Sequence, residues 1–434
     1  MSPLALALLG IGLLLLLLFA LRLPVGFALA LVGFGGFWAA INLQAALGMV
    51  GTETWNILSA YGFTVIPLFI FMGQLCFHSG VNTRLYHTAF TWFGSIRGGL
   101  GVATVLACAG FAAISGSNTA TAATMSTVAL PEMEKYNYHP VLSSGTVAAG
   151  STLGVLIPPS VVLIVIGLQT GQPIGALFWA AVIPGALLTV LFLLSVLLIC
   201  RFRPHLAPAG PPSTWREKWA SLPGSIEILA LFALVMGGLF WGWFTPSEAG
   251  AAGAGGALVL SLVTRRLTRR GFAAAVQDTL KISCMILTIV IGAVIFGRFL
   301  AVTRLPFFLA QWITGLELSS TFIILAIIAL YLLGGALMDA LALLLITLPI
   351  FFPVAQTLGF EPLWFAVLIT MVTTLGAITP PVGVNAFIIG SVGQTPLPVV
   401  YKGTLLFAPA FAICLLLLTF FPNFALYLPG ILGP

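Results

Sequence analysis

Thr152-Leu153-Gly154-Val155-Leu156-Ile157-Pro158-Pro159 and Thr374-Leu375-Gly376-Ala377-Ile378-Thr379-Pro380-Pro381 are two copies of one pattern, an apolar segment that runs through a glycine into a double proline. The copies stand 222 residues apart, and the same offset joins Pro24 to Pro246, Pro140 to Pro362 and Gly171-Gln172 to Gly393-Gln394. Four stretches in one register across a leucine-rich chain point to two halves descended from one unit. Each copy must interrupt its helix, because proline offers no N–H and its ring collides with the preceding turn. Repeated apolar helices broken in this way are the pattern of secondary transporters, whose sites lie between the halves.

Composition fixes the solvent. Apolar residues make up 60% of the chain and charged residues 6%, against about 25% charged in soluble domains, so most helices must face lipid or one another. Leu4 to Leu21, Pro184 to Cys200, Ile226 to Trp243 and Leu405 to Phe421 each come near the ~20 residues that cross a bilayer as a helix. Short alternating strands, the mark of a membrane barrel, are missing from the pattern. The first run has no basic leader and is followed at once by Leu23-Pro24 and another apolar helix, so it reads as a transmembrane helix and not a signal peptide. Cys76, Cys108, Cys200, Cys284 and Cys414 are scattered without ligand spacing and read as small core residues. The net charge of +6 marks cytoplasmic loops rather than nucleic-acid binding. Arg201, Arg203, Arg216 and Lys218 flank the long linker from Arg201 to Pro223, and Arg265-Arg266 with Arg269-Arg270 precede Phe272. Both segments are cytoplasmic by the positive-inside rule.

Orientation follows. From the cytoplasmic linker, helix 226–243 goes out and helix 247–263 returns, which puts Pro246 on the far side. Pro24 follows Arg22, a cytoplasmic signal, and the segment Asn42 to Asn56 carries Glu53 but no Lys or Arg. Equivalent prolines thus lie on opposite faces, as inverted-topology halves require. The expected architecture is an all-α polytopic membrane protein of two inverted repeats, 1–212 and 213–434, with re-entrant hairpins and discontinuous helices. One turn is expected at Ile114-Ser115-Gly116-Ser117-Asn118-Thr119. The other is expected at Leu332-Leu333-Gly334-Gly335-Ala336-Leu337, with the tip near 333–339. Pairing Pro131 with Pro349 shifts this second turn to an offset of 218 and implies a few inserted residues before the double proline.

Two turns and two breaks would bring freed carbonyls and amides together, giving negative and positive poles in a low-dielectric interior. Ser115, Ser117, Asn118, Thr119 and Thr121 belong to one half, Asp339, Thr379 and Asn385 to the other. These hard oxygen donors suit Na⁺ better than a soft metal. Each has a plainer reading as well. Ser and Thr bond backbone and neighbouring helices in membranes, Gly154 and Gly376 permit close packing, and Asp339 can fix a hairpin by accepting from an amide. Arg298 either meets a substrate carboxylate through its guanidinium fork or snorkels to an interface. Thr245-Pro246-Ser247-Glu248 is a capping box, which makes Glu248 structural. His78, His87, His139 and His205 lack metal-ligand spacing, and no phosphate-binding loop with its Lys is present, so neither an enzyme nor ATP hydrolysis is expected.

Phe111-Ala112-Ala113-Ile114-Ser115-Gly116-Ser117, Leu130-Pro131-Glu132-Met133, Gly145-Thr146-Val147-Ala148-Ala149-Gly150, Leu153 to Ser160, and Phe244-Thr245-Pro246-Ser247-Glu248-Ala249 resemble the large membrane (permease) subunit of the tripartite ATP-independent periplasmic (TRAP) transporters, of the dicarboxylate type. The likeness runs over essentially the whole chain. It implies an elevator-type, Na⁺-coupled importer of organic acids in a bacterial inner membrane. The implied partners are a small four-helix membrane subunit, on a separate chain, and a periplasmic substrate-binding protein; no cofactor is implied beyond the coupling ion. Carried over, Ser115, Ser117, Asn118, Thr119, Gly154, Ile157 and Pro159 would form one Na⁺ region. Gly334, Asp339, Gly376, Thr379, Pro381 and Asn385 would form the other. Thr121 and Ser160 are candidate substrate contacts together with Arg298, which is read from its place in an apolar run and departs from many relatives. Asn118 departs from the family pattern, and Ser117-Asn118-Thr119 is similar instead to the divalent anion/sodium symporters, a rival that needs no binding protein. A membrane scaffold without a substrate path is the other rival, disfavoured because broken helices and a buried acid are costly without a cavity to line.

Overall fold

The computed structural model describes residues 2–315 and 319–432, and among them every regular element is a helix, with one isolated bridge between Arg97 and Ala209. Among the described residues seven helices are long and apolar enough to span a membrane, or eight if Leu397–Leu405 and Ala408–Phe420, bent by 51°, make one span. Their outer faces carry exposed leucines and aromatics such as Leu198, Leu229, Leu280 and Phe322, the surface expected against lipid.

The 222 register extends well beyond the prolines that disclosed it. In the first half, helices Gly99–Ser115 and Asn118–Lys135 are joined by a two-residue turn, and in the second half Ser320–Leu337 and Ala340–Thr357 are joined in the same way. The second legs, 118–135 and 340–357, correspond residue for residue at 222. The expected offset of 218 and its inserted residues are therefore wrong. Pro131 pairs with Pro353, each inside its helix, and the second tip is Met338-Asp339. Gly334 and Gly335 lie in the last turns of Ser320–Leu337 instead of forming the turn. Two adjacent glycines signal a loop in a soluble chain, whereas in a membrane helix small residues let a neighbouring backbone approach.

The broken helices follow suit. Pro140–Leu156 and Val161–Thr170 flank the first double proline, Pro362–Gly376 and Val384–Val392 the second, and both Pro–Pro bonds are cis. Each break rests on its own hairpin. A Cβ on Gly154 would stand 2.5 Å from the Ser117 carbonyl oxygen, and one on Gly376 would stand 2.7 Å from the Gly335 Cα. Only glycine permits either approach.

Local sequence also explains where the halves differ. Residues 265–300 of the second half form most of one long helix, Arg269–Val302, but the equivalent stretch splits into Leu43–Ser59, a 3₁₀ turn Tyr61–Thr64, and Val65–His78. Gly62 and Pro67 weaken helix there, while their counterparts Cys284 and Ile289 do not. The outer helices are exchanged between repeats. Val25–Ala40 packs on Arg269–Val302, and its equivalent Pro246–Val263 packs on Val65–His78. The capping box forms as expected, with the Thr245 N–H donating to Glu248 Oε2 at 2.7 Å and the Glu248 N–H donating to Thr245 Oγ1 at 3.4 Å.

Between the halves, helix Trp215–Ser221 is tied to Val81–Phe93: Trp92 Nε1 donates to the Lys218 carbonyl at 3.1 Å and Thr88 Oγ1 to the Ser221 carbonyl at 2.7 Å. Its first turn is closed by the Thr214 backbone N–H, which with the Thr214 hydroxyl holds the Glu217 carboxyl below the usual carboxylate range.

Because the Gly154 and Gly376 contacts are to backbone that cannot swing aside, Gly154→Ala and Gly376→Ala should each cost about 1–3 kcal/mol by overpacking. Gly12→Ala, with open space around it, should stay within about 0.5 kcal/mol. Thermal unfolding of the purified protein in detergent checks both; equal melting temperatures for all three variants would refute the tight seats.

Candidate functional site

The first hairpin turns because Gly116 adopts a left-handed conformation (φ 58°) and Ser117 then caps the second leg, its Oγ accepting from the Ala120 N–H at 3.3 Å. Asp339 is the equivalent cap in the second half, accepting from the Leu341 N–H at 3.0 Å. Serine and aspartate both suit this position because a short side-chain oxygen reaches back to free amides. The turns are locked to the breaks by backbone. Val161 N–H donates to the Gly116 carbonyl at 3.3 Å, and Gly383 and Val382 N–H donate to the Ala336 carbonyl at 2.8 and 3.2 Å.

A cavity of about 440 Å³ opens beside the first tip. Ser115, Gly116, Ser117, Asn118 and Thr119 form one side, Asp339 joins from the second hairpin, and Gln74 and Asp278 enter from helices Val65–His78 and Arg269–Val302. The remaining wall is apolar, with Phe77, Phe111, Ile282, Met285, Ile286 and Ile289 among its residues. Asp278 Oδ2 lies 3.0 Å from His78 Nε2, a pair that joins the two halves at the cavity edge.

Among the described residues four side-chain amides hold buried atoms without a partner, Asn82, Asn118, Gln169 and Asn385, and two of them belong to the interrupted segments. Asn118 is 4% exposed; its Oδ1 accepts from the Thr119 N–H at 2.9 Å, which fixes the amide orientation and leaves Nδ2 a buried donor without a partner. Asn385 is fully buried and has the opposite deficit. Its Nδ2 donates to Ser151 Oγ at 3.5 Å, the serine hydroxyl being itself committed to the Ala148 carbonyl, and Oδ1 is left a buried acceptor without a partner. Buried polar atoms without partners are rare and call for an explanation at each instance.

The remaining predicted residues are distributed around this cavity rather than within it. Thr121 is buried behind the tip, donating to the Ser117 carbonyl at 2.7 Å and 3.3 Å from Ser115 Oγ. Ser160 is buried and caps its own half-helix by accepting from the Leu163 N–H at 3.3 Å. Gly154 and Pro159 back the first tip, while Ile157 packs beside Gly185. Gly334 packs on Leu343, and Gly376 seats the second break. Thr379 Oγ1 donates to the Gly376 carbonyl at 2.9 Å, while Pro381 is exposed, its carbonyl accepting from the Tyr401 hydroxyl at 3.2 Å. The four tips therefore do not open on one shared cavity. Arg298 needs correction too: its Nε donates to Glu53 Oε1 at 2.7 Å, away from the cavity, and its side chain is 57% exposed. Gln74 and Asp278 were missed, although a single amide within the apolar run from Val65 to Cys76 was a usable signal.

Two repeated halves of broken membrane helices, with irregular backbone set against an internal cavity, define a membrane transporter. The chain belongs to the family described as the tripartite ATP-independent periplasmic transporter, DctM component, which residues 12–424 match. It is 34% identical to the C4-dicarboxylate TRAP transporter large permease protein DctM of Pseudomonas aeruginosa, over 86% of this chain and 87% of that one. It is 32% identical to the sialic acid TRAP transporter large permease protein SiaM of Vibrio cholerae, over 94% and 95%. The isethionate TRAP transporter permease protein DctMQ of Oleidesulfovibrio alaskensis is 31% identical over 95% of this chain and 65% of its own. Among solved structures, the Alcanivorax borkumensis YdaH transporter shares the fold, with a TM-score of 0.58 over 90% of each chain at 16% identity. The chain is a multi-pass membrane permease subunit and not an enzyme.

The Glu53 pairing generates a prediction for Arg298. Arg298→Lys should retain transport and substrate affinity, and a double-mutant cycle of Glu53→Gln with Arg298→Gln should give a coupling below about 1 kcal/mol, since a half-exposed ion pair is weakly coupled. A fall in substrate affinity in Arg298→Lys would return this residue to the substrate.

Proposed function

We propose that this permease imports a small organic anion with Na⁺, acting with a small four-helix membrane subunit and a periplasmic substrate-binding protein. The reading rests chiefly on two buried amide atoms without partners, the Asn118 Nδ2 donor at the first hairpin tip and the Asn385 Oδ1 acceptor at the start of the half-helix after the second double proline. A cation and an acid group are the ligands that would satisfy them.

The Asn118 Nδ2 donor lies at the N-terminal end of helix Asn118–Lys135, where the partial positive charge of the helix favours an anion. That orientation suits a carboxylate better than Na⁺, so Asn118 moves from the cation region to the anion. Around it, the hydroxyls of Ser115, Ser117 and Thr119 and the carbonyls brought together where Gly154 meets Ser117 supply hard oxygen for one Na⁺. Asn385 Oδ1, with the carbonyls freed at the second double proline, supplies it for another, and Asp339 places a negative charge at the second tip. Coupling follows if the cations order the tips that hold the anion, since filling one site then favours the other by the same factor. The hairpins and breaks would move together against the helices Val65–His78 and Arg269–Val302, in an elevator-like cycle.

The family's description as a tripartite periplasmic system supports the two partners, and relatives named for C4-dicarboxylate, sialic acid and isethionate support an organic acid as cargo. In proteoliposomes, uptake should require a Na⁺ gradient and the loaded binding protein and should be indifferent to ATP. Ser117→Ala should weaken apparent Na⁺ affinity by about tenfold (~1.4 kcal/mol), with normal membrane insertion. Uptake driven by an imposed proton gradient without Na⁺ would refute the coupling. Uptake without any binding protein would favour a self-sufficient symporter.

A further inference from the structure

We infer that the cargo of this permease is a monocarboxylate with a branched aliphatic or aromatic body, rather than a dicarboxylate or a polyhydroxylated acid. The inference rests on the transport reading above and narrows it.

Charge carries the first half of the argument. Among the described residues, no Arg, Lys or His lines the cavity, whereas two carboxylates do, Asp278 and Asp339. One acid group has a place, at the Asn118 Nδ2 donor and the N-terminal end of its helix. A second would find only neutral side chains such as Gln74 and Thr124, the apolar wall, or an aspartate of its own sign, and no cationic side chain to pair with a desolvated charge. Na⁺ at Asp339 would neutralise that carboxylate without supplying a hydrogen-bond donor to an acid.

Surface chemistry carries the second half. The cavity wall includes Ile282, Met285, Ile286 and Ile289 of the long helix, together with Phe77 and Phe111. A volume of about 440 Å³ accommodates a small organic acid. Sugar hydroxyls laid on that wall would lose water without gaining partners, while a branched or aromatic body would bury apolar surface there. Gln74 and Thr124 leave room for one keto or hydroxyl group beside the acid.

The test is binding to the permease purified with its small membrane subunit, by calorimetry in NaCl and again in choline chloride. The probes are 4-methyl-2-oxopentanoate, phenylpyruvate, succinate and N-acetylneuraminate. The expected result is Na⁺-dependent binding of one or both of the first two, with Kd at least about tenfold below that of succinate. Asn118→Asp, which turns the donor into an acceptor, should abolish that binding while stabilisation of the protein by Na⁺ in a thermal melt persists. Succinate or N-acetylneuraminate binding as tightly as the monocarboxylates would overturn the inference and leave the transport reading standing. Binding of no anion in either salt would overturn both.

Discussion

Every N–H and C=O inside a bilayer must find a partner within the protein, and each one left unpaired costs several kcal/mol. Four interruptions of helix in this chain are tolerable because they partner one another. The carbonyl that ends the first leg of each hairpin, Gly116 or Ala336, accepts from the amides that begin the half-helix after each double proline. The half-helices then pack across the repeat boundary, Val384–Val392 against Asn118–Lys135 and Val161–Thr170 against Ala340–Thr357. The irregular backbone is thus a single connected unit, and the cavity exists where that unit stands away from the two long membrane helices.

Much of this was readable because proline, glycine and capping residues act locally. The double prolines, the prolines that open Pro140–Leu156 and Pro362–Gly376, and the Thr245–Glu248 cap dictate backbone within a few residues of themselves. The second hairpin tip was misplaced for the same reason, since Gly334-Gly335 carries a strong local signal with two meanings. Asp339 was the better marker: a short acid ahead of an apolar helix is a cap, and at 222 residues from Ser117 it keeps the register unbroken. Contacts between distant segments were not readable. Nothing near Arg298 announces Glu53, and nothing near His78 announces Asp278, because an ion pair between remote helices leaves no spacing in either. The exchange of outer helices was hidden as well, since a face built for lipid and one built for another helix are equally apolar.

The two halves share a backbone plan but have diverged in side chains at the tips. Ser117 and Asp339 perform the same capping task, one neutral and one acidic, and the first tip is followed by Asn118 where the second has Ala340. Duplication supplied the symmetric frame, and the side chains at the two tips make it asymmetric.

The exchange of outer helices also bears on how the chain is made. Helix Val65–His78 packs mainly against Pro246–Val263 and Arg269–Val302, the first of which is synthesised roughly 180 residues later. At ribosomal rates of about 5–20 residues per second, that is a wait of about ten to forty seconds. During it, the first half sits in the bilayer with its partner surface filled by lipid tails or by the insertion machinery. The packing of the first half is therefore finished only once the second half has been made.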